Sequence, residues 1–277
     1  MKLECRQKIY RPALRYYGGK WKIAHWIIQF FPPHVNYVEP CGGAMSVLLQ
    51  KEPARLETCN DIDDRVVNFF EVLRSREDEL LRLIRLTPWS RRELENAKEP
   101  ADDPVEDARR FFVACWQSFS KHGGSWRSMY DFTKRPRAAA SDIRDIEHLH
   151  LVADRLGSVQ FENKDALDVI QQYDTPDTLI YFDPPYLSSV RVNHNYYAYE
   201  VDQSWHVSAA ELLQQAQGDV VVSGYRSALY ADLYESNGWA RLDKPAIANG
   251  GAKRIESVWL SPSIQDKKDV MRQGKLF

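Results

Sequence analysis

The sequence predicts an α/β protein with a doubly wound, mostly parallel sheet and a helical insertion. Two observations predict this class. Toward both ends of the chain, short apolar runs alternate with longer segments whose apolar residues recur at helical spacing. Between about residues 75 and 154 that alternation stops and helical patterns dominate. We therefore expect residues 1–75 and 155–277 to build the sheet domain, and residues 76–154 to form an inserted helical domain.

The first half of the sheet domain is predicted to contain two strand–helix units. A strand at Val35–Glu39 is ended by the turn residues at 40–43, and a short helix is predicted for Ala44–Leu49. The second strand is predicted at Leu56–Asn60. A helix follows over Ile62–Leu73, where apolar side chains recur at helical spacing.

The insertion is predicted to contain helices at Glu77–Leu86, Ser90–Lys98 and Pro104–Phe119. The second of these begins with the capping-box pattern Ser90-x-x-Glu93.

Strand signals resume after the insertion. Apolar or β-branched runs predict strands at 158–161, 178–182, 219–223, 239–242 and 257–260, with helices at 208–217 and 227–235.

Composition limits the class of protein. The chain has 277 residues, of which 44% are hydrophobic and 27% are charged, as expected for a globular protein with a sizeable core. Its 37 Lys and Arg against 39 Asp and Glu exclude a polycationic chain, so a nucleic-acid partner would need a local basic patch. One such patch is present at residues 121–144, where six basic residues outnumber two acidic ones.

The four cysteines are far apart in the sequence, with no Cys-x-x-Cys pair and no His at ligand spacing. This pattern disfavours both a zinc site and a disulfide framework, so we expect no metal and a reducing, cytoplasmic location. The N-terminus is charged and the sequence has no long apolar run, so we expect neither export nor a membrane span.

The most informative motif is Asp183-Pro184-Pro185-Tyr186, directly after the apolar run 179–182. Two prolines end a strand rigidly, because they fix φ and remove two N–H donors. The Asp183 carboxylate and the Pro184 carbonyl can then accept hydrogen bonds from an amine attached to a planar ring, while the Tyr186 ring stacks on that planar ring. Since ligands bind at the carboxyl ends of parallel strands, we predict a binding site here, although a strand-ending turn is the simpler alternative.

The loop after the first predicted strand is a second candidate. Its glycines, Gly42 and Gly43, permit close approach of a ligand to the backbone. Asp61 follows Glu39 by 22 residues, near the spacing at which an acid meets a ribose hydroxyl in nucleotide-binding α/β folds. A helix N-cap is the alternative role for Asp61.

These motifs occur in the order typical of a known family. Tyr16-Tyr17-Gly18-Gly19-Lys20, Val38-Glu39-Pro40-x-Gly42-Gly43, Asn60-Asp61-Ile62-Asp63, Asp183-Pro184-Pro185-Tyr186 and Asn249-Gly250-Gly251-Ala252-Lys253-Arg254-x-Glu256 follow one another along the chain. In the order of these motifs the chain resembles the Dam-like DNA adenine-N6 methyltransferases (the D12 class, alpha arrangement). The resemblance implies a Rossmann-like methyltransferase sheet with an inserted target-recognition domain, and it covers nearly the whole chain.

The resemblance implies that S-adenosylmethionine is the cofactor. Tyr16 and Lys20 would contact it, Glu39 and the Pro40–Gly43 loop would shape its methionine end, and Asp61 would hold the ribose. The segment 163–165 resembles the adenine-binding region loosely. The residues expected at the cofactor are therefore Tyr16, Lys20, Glu39, Pro40, Cys41, Gly42, Gly43, Asp61, Asn163, Asp165 and Asp183, and those expected at the reacting base are Asp183, Pro184, Pro185 and Tyr186.

The substrate implied is an adenine flipped out of double-stranded DNA. The basic residues of the insertion are expected to contact that DNA: Lys121, Arg127, Lys134, Arg135 and Arg137. Three alternatives remain: an N4-cytosine DNA methyltransferase, methylation of RNA or of a protein amide, and a relative that binds nucleic acid without activity. The recognition sequence, a restriction partner, the oligomeric state and a bacterial or phage origin are left open.

Overall fold

The computed structural model describes residues 8–119, 124–127, 145–187, 199–247 and 253–273. Its helices are α1 Ala24–Ile28, α2 Asp64–Ser75, α3 Glu77–Leu86, α4 Arg91–Ala97, α5 Pro104–Gln117, α6 His148–Leu156, α7 Ala166–Tyr173, α8 Gln203–Gln214, α9 Ala228–Leu233 and α10 Pro262–Gln273. Its strands are β1 Asn36–Glu39, β2 Leu56–Asn60, β3 Ser118–Phe119, β4 Ser125–Trp126, β5 Val159–Glu162, β6 Thr178–Phe182, β7 Asp219–Gly224, β8 Ala240–Ile247 and β9 Lys253–Leu260.

The chain divides into two compact units. The first comprises residues 1–21 and 63–159, and the second comprises residues 22–62 and 160–277. The predicted division, 1–75 with 155–277 against 76–154, differs from these units in the placement of the N-terminal segment and of α2. A separate target-recognition domain at 76–154 therefore remains a proposal.

The second unit holds a seven-stranded sheet in the order β5-β2-β1-β6-β7-β9-β8. β1 pairs in parallel with β2 and with β6, and β6 pairs in parallel with β7. β9 is antiparallel to both β7 and β8. The predicted doubly wound, mostly parallel sheet is confirmed.

The central strands are buried along their length because both faces of the sheet are covered. All residues of β6 and β7 are buried, as expected for continuous apolar runs in a parallel sheet. Val38, Ile180 and Val220, from neighbouring strands, belong to one apolar core with Tyr230 and Trp259.

The described residues of the first unit are mainly helical. Asp63 caps α2 by accepting a hydrogen bond from the Arg65 N–H, and Asp103 caps α5 in the same way through the Glu106 N–H. Phe69 of α2 stacks on Phe112 of α5 with ring centroids 6.1 Å apart. Apolar and aromatic packing of this kind explains why α2 belongs with the helices of the insertion.

Candidate functional site

The sheet order places a switch point between β1 and β6. From β1 the chain proceeds to β2 and β5 on one side, then returns to the middle at β6 and continues to β7 on the other. In such sheets the ligand crevice lies outside the carboxyl ends of the two strands that flank the switch point. Glu39 is the last residue of β1 and Asp183 follows the last residue of β6, so both lie at this position.

The Asp183–Tyr186 segment leaves β6 and is held by neighbouring aromatic and acidic residues. The Tyr186 side chain is only 6% exposed. Its hydroxyl donates to Glu256 Oε2 at 3.1 Å, and its ring meets Tyr225 edge to face at 4.6 Å. The ring of Tyr186 is therefore fixed from two directions.

Sequence reasoning missed Tyr225 and gave Glu256 no role. Tyr225 directly follows the buried strand β7, and its hydroxyl accepts a hydrogen bond from Arg254 Nη1 at 2.8 Å. A signal was present, since a tyrosine at the end of a buried parallel strand lies at the same edge as Asp183.

Glu39 is a buried carboxyl group. Its side chain accepts a hydrogen bond from the Tyr37 hydroxyl at 3.0 Å, and the residue is 3% exposed. The pKa of Glu39 is raised to about 8, mainly by burial; the Tyr37 hydrogen bond lowers it and the nearby Asp183 carboxylate adds to the rise. Glu39 therefore holds a proton at neutral pH.

Cys41 lies in the loop after β1, at the same edge of the sheet as Asp61 and Asp183. Burial raises the pKa of the Cys41 thiol well above its usual range, and the carboxylates of Asp61, Asp183, Asp165 and Glu39 raise it further. The loops after β1, β2, β5 and β6 thus bring acidic groups to one edge of the sheet. This edge favours a cationic ligand group.

The loop after β1 is bonded to the end of β2. The Gly43 N–H donates to Asp61 Oδ2 at 2.8 Å, and the Gly42 N–H donates to the Asn60 carbonyl at 2.7 Å. Gly43 has φ +49°, a left-handed conformation that favours glycine. The loop is therefore fixed relative to the Asp61 carboxylate.

One expectation about this loop was wrong, and one stays a prediction. A Cβ on Gly42 would lie 2.4 Å from Cys59 Sγ, so packing on β2 requires a glycine here, and a close approach of a ligand to this glycine stays a prediction. Residues 44–49 form turns where a helix was predicted. Met45 has φ +51°, which interrupts helical geometry at the second residue of the segment.

Asp61 is not a helix N-cap, because Asp63 performs that role for α2. Its half-buried carboxylate follows β2 and accepts from the Gly43 N–H, and its contact with a ribose remains a prediction.

The segment after β5 uses its side chains to hold the backbone. Asn163 Nδ2 donates to the Asp61 and Ile62 carbonyls at 2.8 and 3.2 Å. Asp165 caps α7 by accepting from the Leu167 N–H at 2.8 Å. A direct contact of Asn163 or Asp165 with a cofactor remains a prediction.

Tyr16 and Lys20 belong to the first unit, whereas the other residues expected at the cofactor belong to the second. Lys20 Nζ donates to the Gly18 carbonyl at 2.7 Å, and the Tyr16 ring centroid is 6.3 Å from that of Phe111. Their contact with a cofactor also remains a prediction.

Of the residues expected at DNA, the structure describes Arg127. Its guanidinium lies 5.9 Å from the centroid of the Trp89 ring, and its backbone N–H donates to the Gln117 carbonyl at 2.7 Å. The other residues expected at DNA, Lys121, Lys134, Arg135 and Arg137, lie outside the described residues.

Within the described part of the chain, no group of three or more His, Cys, Asp or Glu side chains could hold a metal ion. Over the same residues, no helix has both the length and the apolar character needed to cross a membrane. The described cysteines, Cys41, Cys59 and Cys115, are free thiols.

The solved structures similar to this chain include two that are described as methyltransferases. The protein yhhF of Escherichia coli, described as a methyltransferase, is 10% identical, with 85% of this chain and 80% of that chain covered, at a TM-score of 0.32. The protein PH1948 of Pyrococcus horikoshii, described as an RNA methyltransferase, is 11% identical, with 93% of this chain and 92% of that chain covered, at a TM-score of 0.38. Comparison with the curated proteins finds no match.

The family model for D12 class N6 adenine-specific DNA methyltransferases matches residues 16–245. The match covers most of the chain, including the loop after β1, the end of β2 and the Asp183–Tyr186 segment. This chain belongs to the D12 class N6 adenine-specific DNA methyltransferases, enzymes that transfer a methyl group from a donor to adenine in DNA.

Proposed function

We propose that the chain transfers the methyl group of S-adenosylmethionine to N6 of an adenine flipped out of double-stranded DNA. The reaction centre of this proposal is the switch point between β1 and β6. The observation that carries it is the position of Glu39, Cys41, Asp61 and Asp183 at or just after the carboxyl ends of the neighbouring parallel strands β1, β2 and β6.

The acidic residues at this edge of the sheet fit S-adenosylmethionine. This cofactor carries two positive groups, a sulfonium and an ammonium, and the acidic edge of the sheet favours cations. In the proposal, Glu39 and the 40–43 loop hold its methionine end and the Asp61 carboxylate accepts from the ribose hydroxyls. Further contacts would come from Tyr16, Lys20, Asn163 and Asp165. When bound, S-adenosylmethionine supplies an electrophilic methyl group.

Asp183 and Pro184 are proposed to orient the reacting amine. The N6 lone pair of adenine is delocalised into the ring, so the amine is a poor nucleophile until its geometry changes. The Asp183 carboxylate and the Pro184 carbonyl can each accept one amine hydrogen, which directs the lone pair out of the ring plane. As the N6–carbon bond forms and the sulfur–carbon bond breaks, Asp183 can accept the proton that N6 loses.

Tyr186 is proposed to stack on the flipped base. Unstacking a base from a duplex costs a few kcal/mol, and stacking on an aromatic side chain contributes about 1–3 kcal/mol. Because the Tyr186 ring is already fixed by Tyr225 and Glu256, little ordering entropy remains to be lost when the base arrives.

The proposal assigns target recognition to the inserted segment 76–154. Its basic stretch at 121–144 supplies the positive charge that the rest of the chain lacks. A cytoplasmic location is part of the proposal, since the described cysteines are free thiols.

The test is methyl transfer with identified product. The full chain is incubated with methyl-labelled S-adenosylmethionine and unmethylated duplex DNA, and the DNA is hydrolysed to nucleosides. Label in N6-methyldeoxyadenosine is expected. Label in N4-methyldeoxycytidine, or cofactor binding without transfer to any duplex, would contradict the proposal. Flipping is checked by a rise in 2-aminopurine fluorescence when that base replaces the target adenine.

A further inference from the structure

Asn60, the last residue of β2, is almost completely buried, with 1% of its surface exposed. Its side-chain Nδ2 donates to the Pro40 carbonyl at 2.8 Å and to the Lys164 carbonyl at 3.0 Å. Its Oδ1 accepts from the Lys164 N–H at 2.9 Å. Both amide hydrogens and the amide oxygen are therefore used.

These bonds join two loops that are far apart in sequence. Pro40 begins the loop after β1, which lies 20 residues before Asn60, and Lys164 lies in the loop after β5, 104 residues beyond it. The Asn60 backbone adds a further link, since its carbonyl accepts from the Gly42 N–H at 2.7 Å. One side chain thus links the two loops through hydrogen bonds.

We propose that Asn60 is a positioning residue that fixes the separation between the two ends of the methyl-donor site. The inference rests on the proposed function, in which the 40–43 loop holds the methionine end of the donor and the 163–165 segment lies at its adenine end. A ligand that touches both loops needs this separation, whereas a ligand that touches one loop does not.

The side chain must be an amide of this length. Aspartate has nearly the same volume but cannot donate, so its carboxylate would face the Pro40 and Lys164 carbonyls, two acceptors at hydrogen-bond distance. A buried acceptor facing acceptors is strongly unfavourable, so the loops would move apart.

Asn36 provides a matched control. It is the first residue of β1, at the opposite end of the same sheet, and its Nδ2 donates to Thr178 Oγ1 at 3.0 Å and to the Tyr173 carbonyl at 3.3 Å. Asn36→Ala removes a comparable amide from the same sheet without touching either loop.

The experiment compares two ligands on the full chain by titration calorimetry. In the proposed site S-adenosylhomocysteine would span both loops, whereas 5′-methylthioadenosine lacks the amino-acid part. We expect Asn60→Asp and Asn60→Ala to weaken S-adenosylhomocysteine at least tenfold and 5′-methylthioadenosine less than threefold. Asn36→Ala should change neither affinity more than twofold, even where it lowers the melting temperature by a similar amount.

Equal weakening of both ligands in the Asn60 variants, or unchanged affinity for S-adenosylhomocysteine, would overturn the inference and leave the proposed function intact. A similar loss of S-adenosylhomocysteine affinity in Asn36→Ala would also overturn it, because the effect would then follow from general destabilisation. Where Asn60→Ala does not fold, Asn60→Asp decides, since it keeps the side-chain volume and the oxygen that accepts from the Lys164 N–H. Failure of the unchanged chain to bind either ligand would overturn the proposed cofactor site, and this inference with it.

Discussion

At the scale of single residues, Glu39 shows how burial changes the chemistry of a carboxyl group. It lies at the end of a buried strand, accepts from the Tyr37 hydroxyl and has a pKa of about 8. A protonated Glu39 lowers the negative charge at an edge that also holds Asp61 and Asp183. A bound cationic ligand would lower the pKa of Glu39, because positive charge near the carboxyl group favours its ionised form.

The first prediction concerns Glu39 and pH. Glu39 binds its proton more tightly in the folded chain than in the unfolded chain, where the pKa is 4.5. Its contribution to stability is therefore fully present below pH 4.5 and is lost as the pH rises to about 8. Relative to Glu39→Gln, the unchanged chain should lose on the order of 1 kcal/mol of unfolding free energy per pH unit in that window.

Urea unfolding at several pH values between 5 and 8 measures this difference. Glutamine is the appropriate comparison, since it keeps the shape and can still accept from Tyr37 but does not titrate. Parallel stability curves for the two proteins would show that the Glu39 pKa is not raised.

Residue roles were harder to predict where they depend on distant partners. Asp61 and Asp183 were predicted as site residues because each lies just after a strand that the pattern reveals, whereas the role of Glu39 came from the family resemblance. Asn60 stands beside Asp61 in the sequence, but its partners Pro40 and Lys164 lie 20 and 104 residues away. Its hydrogen bonds follow from the order of the strands, which local pattern does not specify.

At the scale of elements, prediction succeeded where a pattern was long or continuous. The buried strand at 178–182 was predicted with its observed bounds, because a continuous apolar run before two prolines has few alternatives. α8 begins five residues earlier than predicted, at Gln203, and its cap Asp202 accepts from the Trp205 N–H. Asp202 is a helix-capping residue type, so the sequence does indicate this start, but a prediction from the apolar pattern alone does not use it.

Short segments were less predictable. The turns at 44–49 have helix-forming residues, but Met45 adopts a left-handed conformation as the loop turns away from β1. Tertiary constraints on the loop override the local propensity of so short a segment.

The second prediction tests the packing of this loop on β2. Gly42→Ala would place a Cβ 2.4 Å from Cys59 Sγ and 3.1 Å from the Asn60 carbonyl, so the loop must shift. We expect a loss of about 1–3 kcal/mol of unfolding free energy, as is typical of overpacking. Chemical denaturation measures it.

Gly157→Ala is the control for this substitution. Gly157 caps α6 with φ −55°, and its added Cβ would meet the Asp154 carbonyl at an ordinary 3.4 Å. Its stability should be unchanged or slightly increased. Equal effects of the two substitutions would contradict the account of why residue 42 is glycine.

At the scale of the whole molecule, the predicted mostly parallel sheet gives the right class of fold, whereas the packing partner of α2 could not be predicted from sequence. The predicted helix at 62–73 has the position of a sheet-covering helix, but in the structure α2 packs on α5 through Phe69 and Phe112. Aromatic side chains show that a helix has an apolar face and do not show which partner covers it.

The third prediction concerns DNA binding by the insertion. Arg127→Ala should weaken binding to duplex DNA, leave S-adenosylmethionine affinity unchanged and, for a phosphate contact, lower the dependence of log affinity on log salt by about one. Arg85→Ala is the control, because Arg85 is an exposed arginine of the same unit, paired with Glu147 and outside the basic stretch. Fluorescence anisotropy across a salt series measures both.

Unchanged DNA affinity in Arg127→Ala, or an equal loss in Arg85→Ala, would place DNA recognition elsewhere in the chain.

The central claim is that amine chemistry occurs at the end of β6. The most direct measurement is single-turnover methyl transfer to duplex DNA by Asp183→Ala, with S-adenosylmethionine affinity measured on the same preparation. The account predicts that turnover is lost while affinity stays within a few fold, and that Asp177→Ala, an exposed carboxylate beside the opposite end of β6, keeps normal turnover. Near-normal methyl transfer by Asp183→Ala would contradict it.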